Sequence, residues 1–353
     1  MAKTTIAVIG CGRISEMAHF PALSKNENVR IKYACDLIIE KAQDKVERFG
    51  AEQAITDYKI ALADKEVEAV YVLTPNYAHY EITMDALRAD KHVFCEKPIT
   101  VSYKLSCEMA EEARKRGKLL NIGVCNRYHS TVETIEKLNR EGKLGNIYHI
   151  YCSFRSFRSI PGLGGPFTTK AHSGGGVLID WGVHFLDLIL YALGGAKIRT
   201  VSADTYCEMA KSIPDYKFDE MWAGPPILDG TNDVDDFVTG HIRTDKATIS
   251  FNGAWAQNVN EEEMFIDFLG DKGGIRMTYR KEVKLYVIED GEFKTLKPEL
   301  NGLNDYQLED NDFIDAIKTG RITRNHIDSV LQSAKLLDMI YESAEKKREL
   351  VAE

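Results

Sequence analysis

The stretch Thr5-Ile-Ala-Val-Ile-Gly10-Cys-Gly12-Arg-Ile-Ser15 runs from a β-branched apolar segment into a glycine-rich turn and then a helical segment. In a dinucleotide-binding fold, Gly10 makes the tight turn and Gly12 lets the backbone approach a pyrophosphate, while the helix N-terminus presents free N–H groups to it. Ser15 replaces the usual third glycine and is still small enough for close helix–strand packing. A glycine turn after a strand is often only a turn, so the motif depends on its context.

Asp36 supplies part of that context. It ends the second apolar run, Val29–Cys35, and lies where an acidic side chain accepts hydrogen bonds from a ribose 2′-hydroxyl. A carboxylate there repels a 2′-phosphate, and the next residues, Leu37-Ile38-Ile39, include no arginine. The sequence therefore favours NAD over NADP. The alternative is that Asp36 only caps the following helix.

The order of predicted elements divides the chain in two. Strand and helix patterns alternate over about the first 125 residues, which predicts an α/β domain with a parallel sheet. Consecutive strand patterns with short turns then predict a mostly antiparallel sheet, followed by two amphipathic helices. We predict an NAD-binding Rossmann domain over 1–125 and an α+β domain over 126–353 with a large open sheet. The C-terminal helix of the second domain has the option of packing back on the first domain.

Composition narrows the function classes. The 353 residues include 54 acidic and 45 basic side chains, a net charge of −9, which argues against a nucleic-acid or anionic-membrane partner. No apolar run approaches the ~20 residues that span a bilayer, and no secretory segment is recognisable at the N-terminus. The seven cysteines are scattered without a Cys-x-x-Cys pair. We therefore expect a cytoplasmic enzyme without a metal ion.

Two polar segments follow predicted strands of the first domain. Thr74-Pro-Asn76-Tyr-Ala-His79 follows the third strand and Glu96-Lys97-Pro98 the fourth, and such positions line the ligand crevice of a doubly wound fold. A desolvated Lys97 could hydrogen-bond or protonate a reacting oxygen. The alternatives are a Pro/Asn turn for the first segment and a solvated surface lysine for the second.

A third polar set lies on a helix that is otherwise apolar almost all round, a pattern typical of buried helices. At about 100° per residue, Asp180, His184 and Asp187 share a stripe about 60° wide. Burying two carboxylates and an imidazole is costly unless they face each other or a polar cavity. The stripe therefore indicates a site lining or a satisfied buried His–Asp pair. A metal site is disfavoured because no further His or Cys clusters there.

These motifs together resemble the Gfo/Idh/MocA family (glucose–fructose oxidoreductase, inositol dehydrogenase, rhizopine catabolism) over essentially the whole chain. In chain order they are Gly10-x-Gly12, Asp36, Glu96-Lys97-Pro98 and Gly174-Gly175-Gly176-x-x-x-Asp180-x-Gly182-x-His184-x-x-Asp187. The segment 160–170 is similar to that of bacterial dehydrogenases that oxidise the 3-hydroxyl of glycosides. The resemblance implies an NAD-binding Rossmann domain, and a second domain whose open sheet forms contacts in a homo-oligomer, a dimer or a tetramer.

The resemblance also implies site residues. The matching catalytic group is Lys97, Asp180 and His184, with His184 taking the proton of a sugar hydroxyl that the other two orient. The cofactor-binding residues it implies are Gly10, Gly12, Arg13, Ile14, Asp36, Thr74, Asn76, His79, Glu96 and Lys97. The substrate-binding residues are Lys97, Asn126, Tyr128, Arg158, Asp180 and His184.

We therefore predict an NAD(H)-dependent dehydrogenase that interconverts a ring secondary alcohol and a ketone. The substrate would be a sugar, glycoside or cyclitol, with carbon 3 of a hexose as the leading position. Three alternatives stay open: a glycosidase that uses transient oxidation and elimination, an inositol dehydrogenase, and a non-enzymatic regulator that senses sugar or NAD. The absence of any Tyr-x-x-x-Lys or Gly-x-Ser-x-Gly excludes the proton relay of short-chain dehydrogenases and a hydrolase elbow.

Overall fold

The computed structural model describes residues 2–218 and 220–352. The chain forms two compact units, one of Met1–Tyr128 with Asn304–Leu331 and one of His129–Leu303 with Gln332–Glu353. From the sequence we assign everything beyond residue 125 to the second domain, whereas the structure groups Asn304–Leu331 with the first unit. The reason is packing, because Phe313 and Ile314 lie fully buried in the core of that unit.

The strands form two sheets. In chain order the strands are β1 Thr4–Ile9, β2 Val29–Cys35, β3 Gln53–Ile55, β4 Ala69–Val72, β5 His92–Glu96, β6 Leu120–Gly123, β7 Ile147–Arg155, β8 Ile198–Tyr206, β9 Phe237–Thr244, β10 Thr248–Ala254, β11 Glu263–Gly270, β12 Gly273–Thr278, β13 Glu282–Glu289, β14 Glu292–Leu296 and β15 Leu350–Val351. Two of the short strands, β3 and β14, are not evident from the sequence. Neither is β12, which opens with two glycines that weaken its strand pattern.

The helices connect and cover these sheets. In chain order they are α1 Phe20–Lys25, α2 Ile39–Phe49, α3 Tyr58–Ala63, α4 His79–Arg88, α5 Tyr103–Arg116, α6 Ser130–Arg140, α7 Lys170–Ser173, α8 Val183–Ala192, α9 Asp305–Thr319 and α10 Ile327–Lys346. Two of them continue a π-helical turn, Ser15–His19 before α1 and Leu178–Gly182 before α8. Such wide turns often occur at functional sites.

The first unit contains a six-stranded parallel sheet in the order β3-β2-β1-β4-β5-β6. This order reverses direction beside β1, and the carboxyl ends of β1 and β4 lie next to each other at that point. Ligands of doubly wound folds bind at this switch point. The predicted Rossmann domain is confirmed.

The second unit contains a nine-stranded sheet in the order β14-β13-β12-β11-β7-β10-β9-β8-β15. Among its described residues, β7 and β10 are the one parallel pair, and the other neighbouring strands are antiparallel. Along β13, Val283, Leu285 and Val287 are buried in the core while Tyr286 and Ile288 are exposed. One face of the sheet therefore packs on the core and the other is open in this chain, as predicted for a mostly antiparallel sheet.

One helical stretch of the second unit, Lys170–Ala192, is long and apolar enough to cross a membrane. However, 78% of its most apolar 18-residue window is buried inside the structure. Such burial is typical of the core helix of a soluble protein.

Candidate active site

The glycine turn after β1 has the backbone that dinucleotide binding requires. Gly10 has φ +100°, and a Cβ there would lie 2.5 Å from the carbonyl oxygen of Leu73. A Cβ on Gly12 would meet nothing within 4 Å, which leaves room for a phosphate to approach the backbone. The Ser15 hydroxyl donates to the Gly12 carbonyl at 2.7 Å. The turn is thus closely packed at Gly10, whereas its backbone is accessible at Gly12.

Asp36 follows β2 beside this turn. Its carboxylate accepts the N–H of Cys11 at 2.9 Å and that of Ile38 at 2.9 Å. Helix α2 starts at Ile39 without a side-chain cap, so Asp36 stabilises the glycine turn and its own loop rather than capping the helix. Each carboxylate oxygen accepts more than one hydrogen bond, so this side chain can still receive ribose hydroxyls.

His79 joins the loops that follow β4 and β5. It is 1% exposed, and its ring nitrogens lie 2.8 Å from the carbonyl oxygens of Thr74 and Pro98. Burial lowers the pKa of His79, against the effect of those two carbonyls. The predicted cofactor residue His79 therefore shapes the crevice through the backbone of its neighbours. Asn76 begins a short 3₁₀ turn, Asn76–Ala78, between Thr74 and His79.

Glu96 ends β5 and is 5% exposed. One oxygen accepts from Nε2 of His19 at 3.0 Å and the other accepts the N–H of Lys97 at 2.9 Å. Nδ1 of His19 lies 3.1 Å from Asp310. A Cβ on Gly123 would lie 2.7 Å from the Glu96 carboxylate, so that glycine leaves the space that the carboxylate fills. Lys97 therefore follows a rigidly held residue.

These residues fit a dinucleotide. The open backbone at Gly12 precedes a helix N-terminus, and Arg13 beside it is exposed while Ile14 packs partly on the core. The Thr74 hydroxyl oxygen is buried without a hydrogen-bond partner among the described residues. An unpaired buried hydroxyl is costly unless a ligand satisfies it. The carboxyl ends of the strands thus bring together the turn, Asp36 and the segments that contain Thr74 and Glu96.

In the second unit, the helix predicted to carry the chemistry begins as the π-helical turn Leu178–Gly182 and continues as α8. Asp180 and His184 are half-buried. The predicted stripe divides at Asp187, which is 2% exposed and accepts the Ser333 hydroxyl at 2.6 Å. Asp187 is thus a satisfied buried carboxylate, and two accessible titratable side chains remain on an apolar helix.

The three further substrate residues implied by resemblance have internal partners. Asn126 is 2% exposed, and the Tyr128 hydroxyl donates to Asp312 at 2.5 Å. Burial and this bond raise the pKa of Tyr128 above its usual range. Arg158 donates to the carbonyls of Phe157 and Gln257 and to Asn258. A structural role therefore explains these contacts. Binding of substrate by Asn126, Tyr128 and Arg158 stays a prediction.

Comparison with known proteins agrees with this geometry. Residues 4–124 match the family model described as "Oxidoreductase family, NAD-binding Rossmann fold", and residues 132–276 match the "GFO/IDH/MocA C-terminal domain". The chain belongs to the Gfo/Idh/MocA family. The predicted family, oxidoreductase class and NAD cofactor are thereby confirmed.

Gfo/Idh/MocA relatives include sugar and cyclitol dehydrogenases. The D-glucoside 3-dehydrogenase of Escherichia coli K12 is 29% identical over 293 residues, 82% of this chain and 81% of the relative. The inositol 2-dehydrogenase/D-chiro-inositol 3-dehydrogenase of Lactiplantibacillus plantarum is 34% identical, but over 35% of this chain and 36% of its own. Levoglucosan dehydrogenase in complex with NADH and levoglucosan shares the fold, with TM-score 0.86, 23% identity and 99% coverage of both chains.

Three buried residues, His19, Asp310 and Asp235, and the partly buried Tyr341 lie near these segments and were not singled out from the sequence. Each was hidden in a helix or turn whose pattern is ordinary, and each bonds to a residue far along the chain. The one available signal was the pair Asp235-Asp236 in front of an apolar strand. Among the described parts of the chain, residues 2–218 and 220–352, no group of three or more His, Cys, Asp or Glu side chains is arranged to hold a metal ion.

Proposed function

We propose that this protein is an NAD-dependent dehydrogenase that oxidises a ring secondary hydroxyl of a sugar or glycoside, with carbon 3 as the first position to test, or catalyses the reverse reduction. The supporting observation is that Asp180 and His184 are the accessible titratable groups on a buried apolar helix. The similarity to D-glucoside 3-dehydrogenase over four-fifths of both chains supports the substrate class and the position.

The proposed roles follow from proton chemistry. An alcohol that loses a hydride must also lose its hydroxyl proton, and an imidazole with a pKa near neutrality is suited to accept it. We assign that proton to His184, and to Asp180 and Lys97 the orientation of the hydroxyl. NAD, when bound, accepts the hydride from the carbinol carbon. The residues that would hold it are the Gly10–Gly12 turn, Asp36 and the Thr74 segment.

A cyclitol substrate is the second candidate. The observation that favours it is the 34% identity to an inositol dehydrogenase. That similarity covers only 35% of this chain, a share no larger than that of one domain, so it supports a common substrate less well than the longer match does. A glycoside is therefore the first choice and inositol the second.

The test combines a substrate panel with one variant. Glucose, alkyl glucosides and inositols are incubated with NAD while reduced nicotinamide and product mass are recorded together. We expect a product lighter by two hydrogens, formed with one equivalent of NADH. Free sugar without net NADH would instead indicate the glycosidase, and turnover of inositol alone the cyclitol enzyme.

In the same assay, His184→Ala should lower kcat at least ~100-fold, as expected for loss of a general base, with NAD affinity nearly unchanged. His241→Ala is the control, since it removes an imidazole from β9 in the same unit. Wild-type turnover in His184→Ala would remove His184 from the mechanism.

We also propose a cytoplasmic homo-oligomer that uses the open face of the nine-stranded sheet. The support is a set of exposed large side chains on that sheet and its edge, namely Tyr148, Tyr151, Tyr286, Ile288 and Phe293. The seven cysteines are free thiols, which suits a reducing compartment. Light scattering of the purified protein tests the assembly, and a monomer at micromolar concentration would contradict it.

A further inference from the structure

The first N–H groups of the helix that contains Asp180 and His184 bond to a single residue of another segment. Three consecutive N–H groups at its start are taken by Asp235, which lies just before β9. The carboxylate accepts from Gly176 at 2.8 Å and Leu178 at 2.9 Å, and the Asp235 carbonyl accepts from Val177 at 2.8 Å. The N–H groups of a first helical turn have no partner within the helix. Asp235 therefore satisfies this end of the helix and fixes its position.

Tyr341 on α10 holds Asp235 from the other side. Its hydroxyl donates to the Asp235 carboxylate at 2.9 Å. The glycine triplet permits this close approach, because a Cβ on Gly175 would lie 2.0 Å from the Tyr341 oxygen and one on Gly176 1.8 Å from the Asp235 carbonyl oxygen. Two glycines of the motif are thus required by packing against this pair.

The contact connects directly to the residues assigned to the reaction. The carbonyl of Gly176 accepts the N–H of Asp180 at 3.1 Å, so the same residue is bonded to Asp235 through its N–H and to Asp180 through its carbonyl. His184 lies four residues further along the same helix. A displacement of Gly176 would therefore move both side chains.

We propose that Asp235 and Tyr341 are positioning residues for the reaction, which hold the start of the helix so that Asp180 and His184 reach the substrate hydroxyl. The proposal rests on the proposed function. Neither residue needs to touch substrate or cofactor. We expect such positioning to matter because a misplacement of a reacting group by about 1 Å can lower the rate on the order of 100-fold.

Because Asp235 is titratable, we expect the position of the helix start to depend on pH. Burial raises the pKa of Asp235 to about 6, although its hydrogen bonds to Leu178, Gly176 and Tyr341 oppose that shift. Ionisable groups near it include Tyr341 and Cys207, whose pKa values the Asp235 charge raises, and the adjacent Asp236. Protonation removes the negative charge of the carboxylate and makes its oxygens weaker acceptors. The bonds from Gly176, Leu178 and Tyr341 are then weaker on acidification.

The test uses Tyr341→Phe and Asp235→Asn, with Asp236→Asn as the matched control. Asp236 is the neighbouring buried carboxylate, and it accepts the N–H groups of Glu208 and Met209 instead of those of the helix. We expect kcat to fall at least ~10-fold in both test variants with NAD affinity unchanged, and much less in the control. In Tyr341→Phe the loss of the phenol donor raises the pKa of Asp235 further, so kcat should begin to fall at a higher pH than in wild type.

The proposal is overturned if Tyr341→Phe and Asp235→Asn lose no more kcat than Asp236→Asn at equal thermal stability, or if Tyr341→Phe leaves the acidic limb of the kcat–pH profile in place. Failure of the proposed function has a different signature, because His184→Ala would then keep its turnover. If His184→Ala is inactive while Asp235→Asn and Tyr341→Phe keep full activity, the proposed function is retained and the positioning proposal is rejected.

Discussion

The two units stabilise a buried carboxylate in different ways beneath the segments to which we assign the chemistry. In the first unit, Glu96 and Asp310 lie on either side of the His19 imidazole, at 3.0 and 3.1 Å. In the second, Asp235 is held by the N–H groups of the helix start and by the phenol of Tyr341. The first arrangement is ionic and the second is built on neutral donors.

The difference shows in how each cluster responds to protons. Burial alone would lower the pKa of His19, but the carboxylates of Asp310 and Glu96 outweigh it and raise that pKa well above 6.5. Both ring nitrogens lie within hydrogen-bond distance of carboxylate oxygens, which favours the protonated ring. Asp235 has a pKa raised to about 6 and titrates near neutrality. The Lys97 segment is thus held by an imidazole whose pKa is raised, whereas the start of the helix that contains Asp180 and His184 is held by a carboxyl group with a pKa of about 6.

The largest effect on this comparison should come from His19→Ala. The substitution leaves two carboxylates buried without their cation, which typically costs about 3–5 kcal/mol. Denaturant unfolding should show that loss, and adding Asp310→Asn to the variant should restore part of it. A loss below about 1 kcal/mol would mean that the ionic cluster of the first unit is no stronger than a neutral one.

A pair of glycine variants sharpens the comparison next. Gly176→Ala places a methyl group against the Asp235 backbone, and overpacking of this kind typically costs about 1–3 kcal/mol. Gly12→Ala meets no atom within 4 Å, so we expect a change in unfolding free energy within about 1 kcal/mol. Its methyl group would instead occupy the space over the turn, and NAD affinity should fall at least ~10-fold, measured by nucleotide titration. Equal destabilisation by both variants would contradict the distinction between a structural and a ligand-facing glycine.

The smallest effect should follow Asp36→Ala, which removes the charged acceptor that we predict to bind the ribose. Loss of one such hydrogen bond, about 1.5 kcal/mol, should weaken NAD about 10-fold and improve the relative use of NADP. Asp36→Asn is the matched variant, because it removes the charge but keeps one oxygen for the N–H of Cys11 or Ile38. An unchanged ratio of NAD to NADP use in both would exclude the ribose contact.

Local patterns were sufficient for much of the fold. The apolar runs Thr5–Ile9 and Val29–Cys35 coincide with β1 and β2 to within one residue, and the two amphipathic helices predicted after the second sheet are α9 and α10. Patterns failed where the chain is short or glycine-rich, as at β3 and β12, because three residues or a pair of glycines give little side-chain periodicity. The stripe of Asp180, His184 and Asp187 was also only partly informative. Periodicity places Asp187 on the same helix face as Asp180 and His184. In the structure, however, Asp187 is buried in the core, where it accepts the hydroxyl of Ser333.

By itself the sequence determined the nucleotide-binding turn and the acidic residue after β2, and its motifs indicated the class of chemistry through their resemblance to a known family. These depend on neighbouring residues, on backbone freedom at glycine and on the order of strands along the chain. Only the tertiary structure decided what holds the two functional segments, because His19 and Asp310 are 291 positions apart, and Gly176 and Asp235 are 59 apart. Which buried carboxylate meets which donor depends on how distant elements pack, and no local spacing records that pairing.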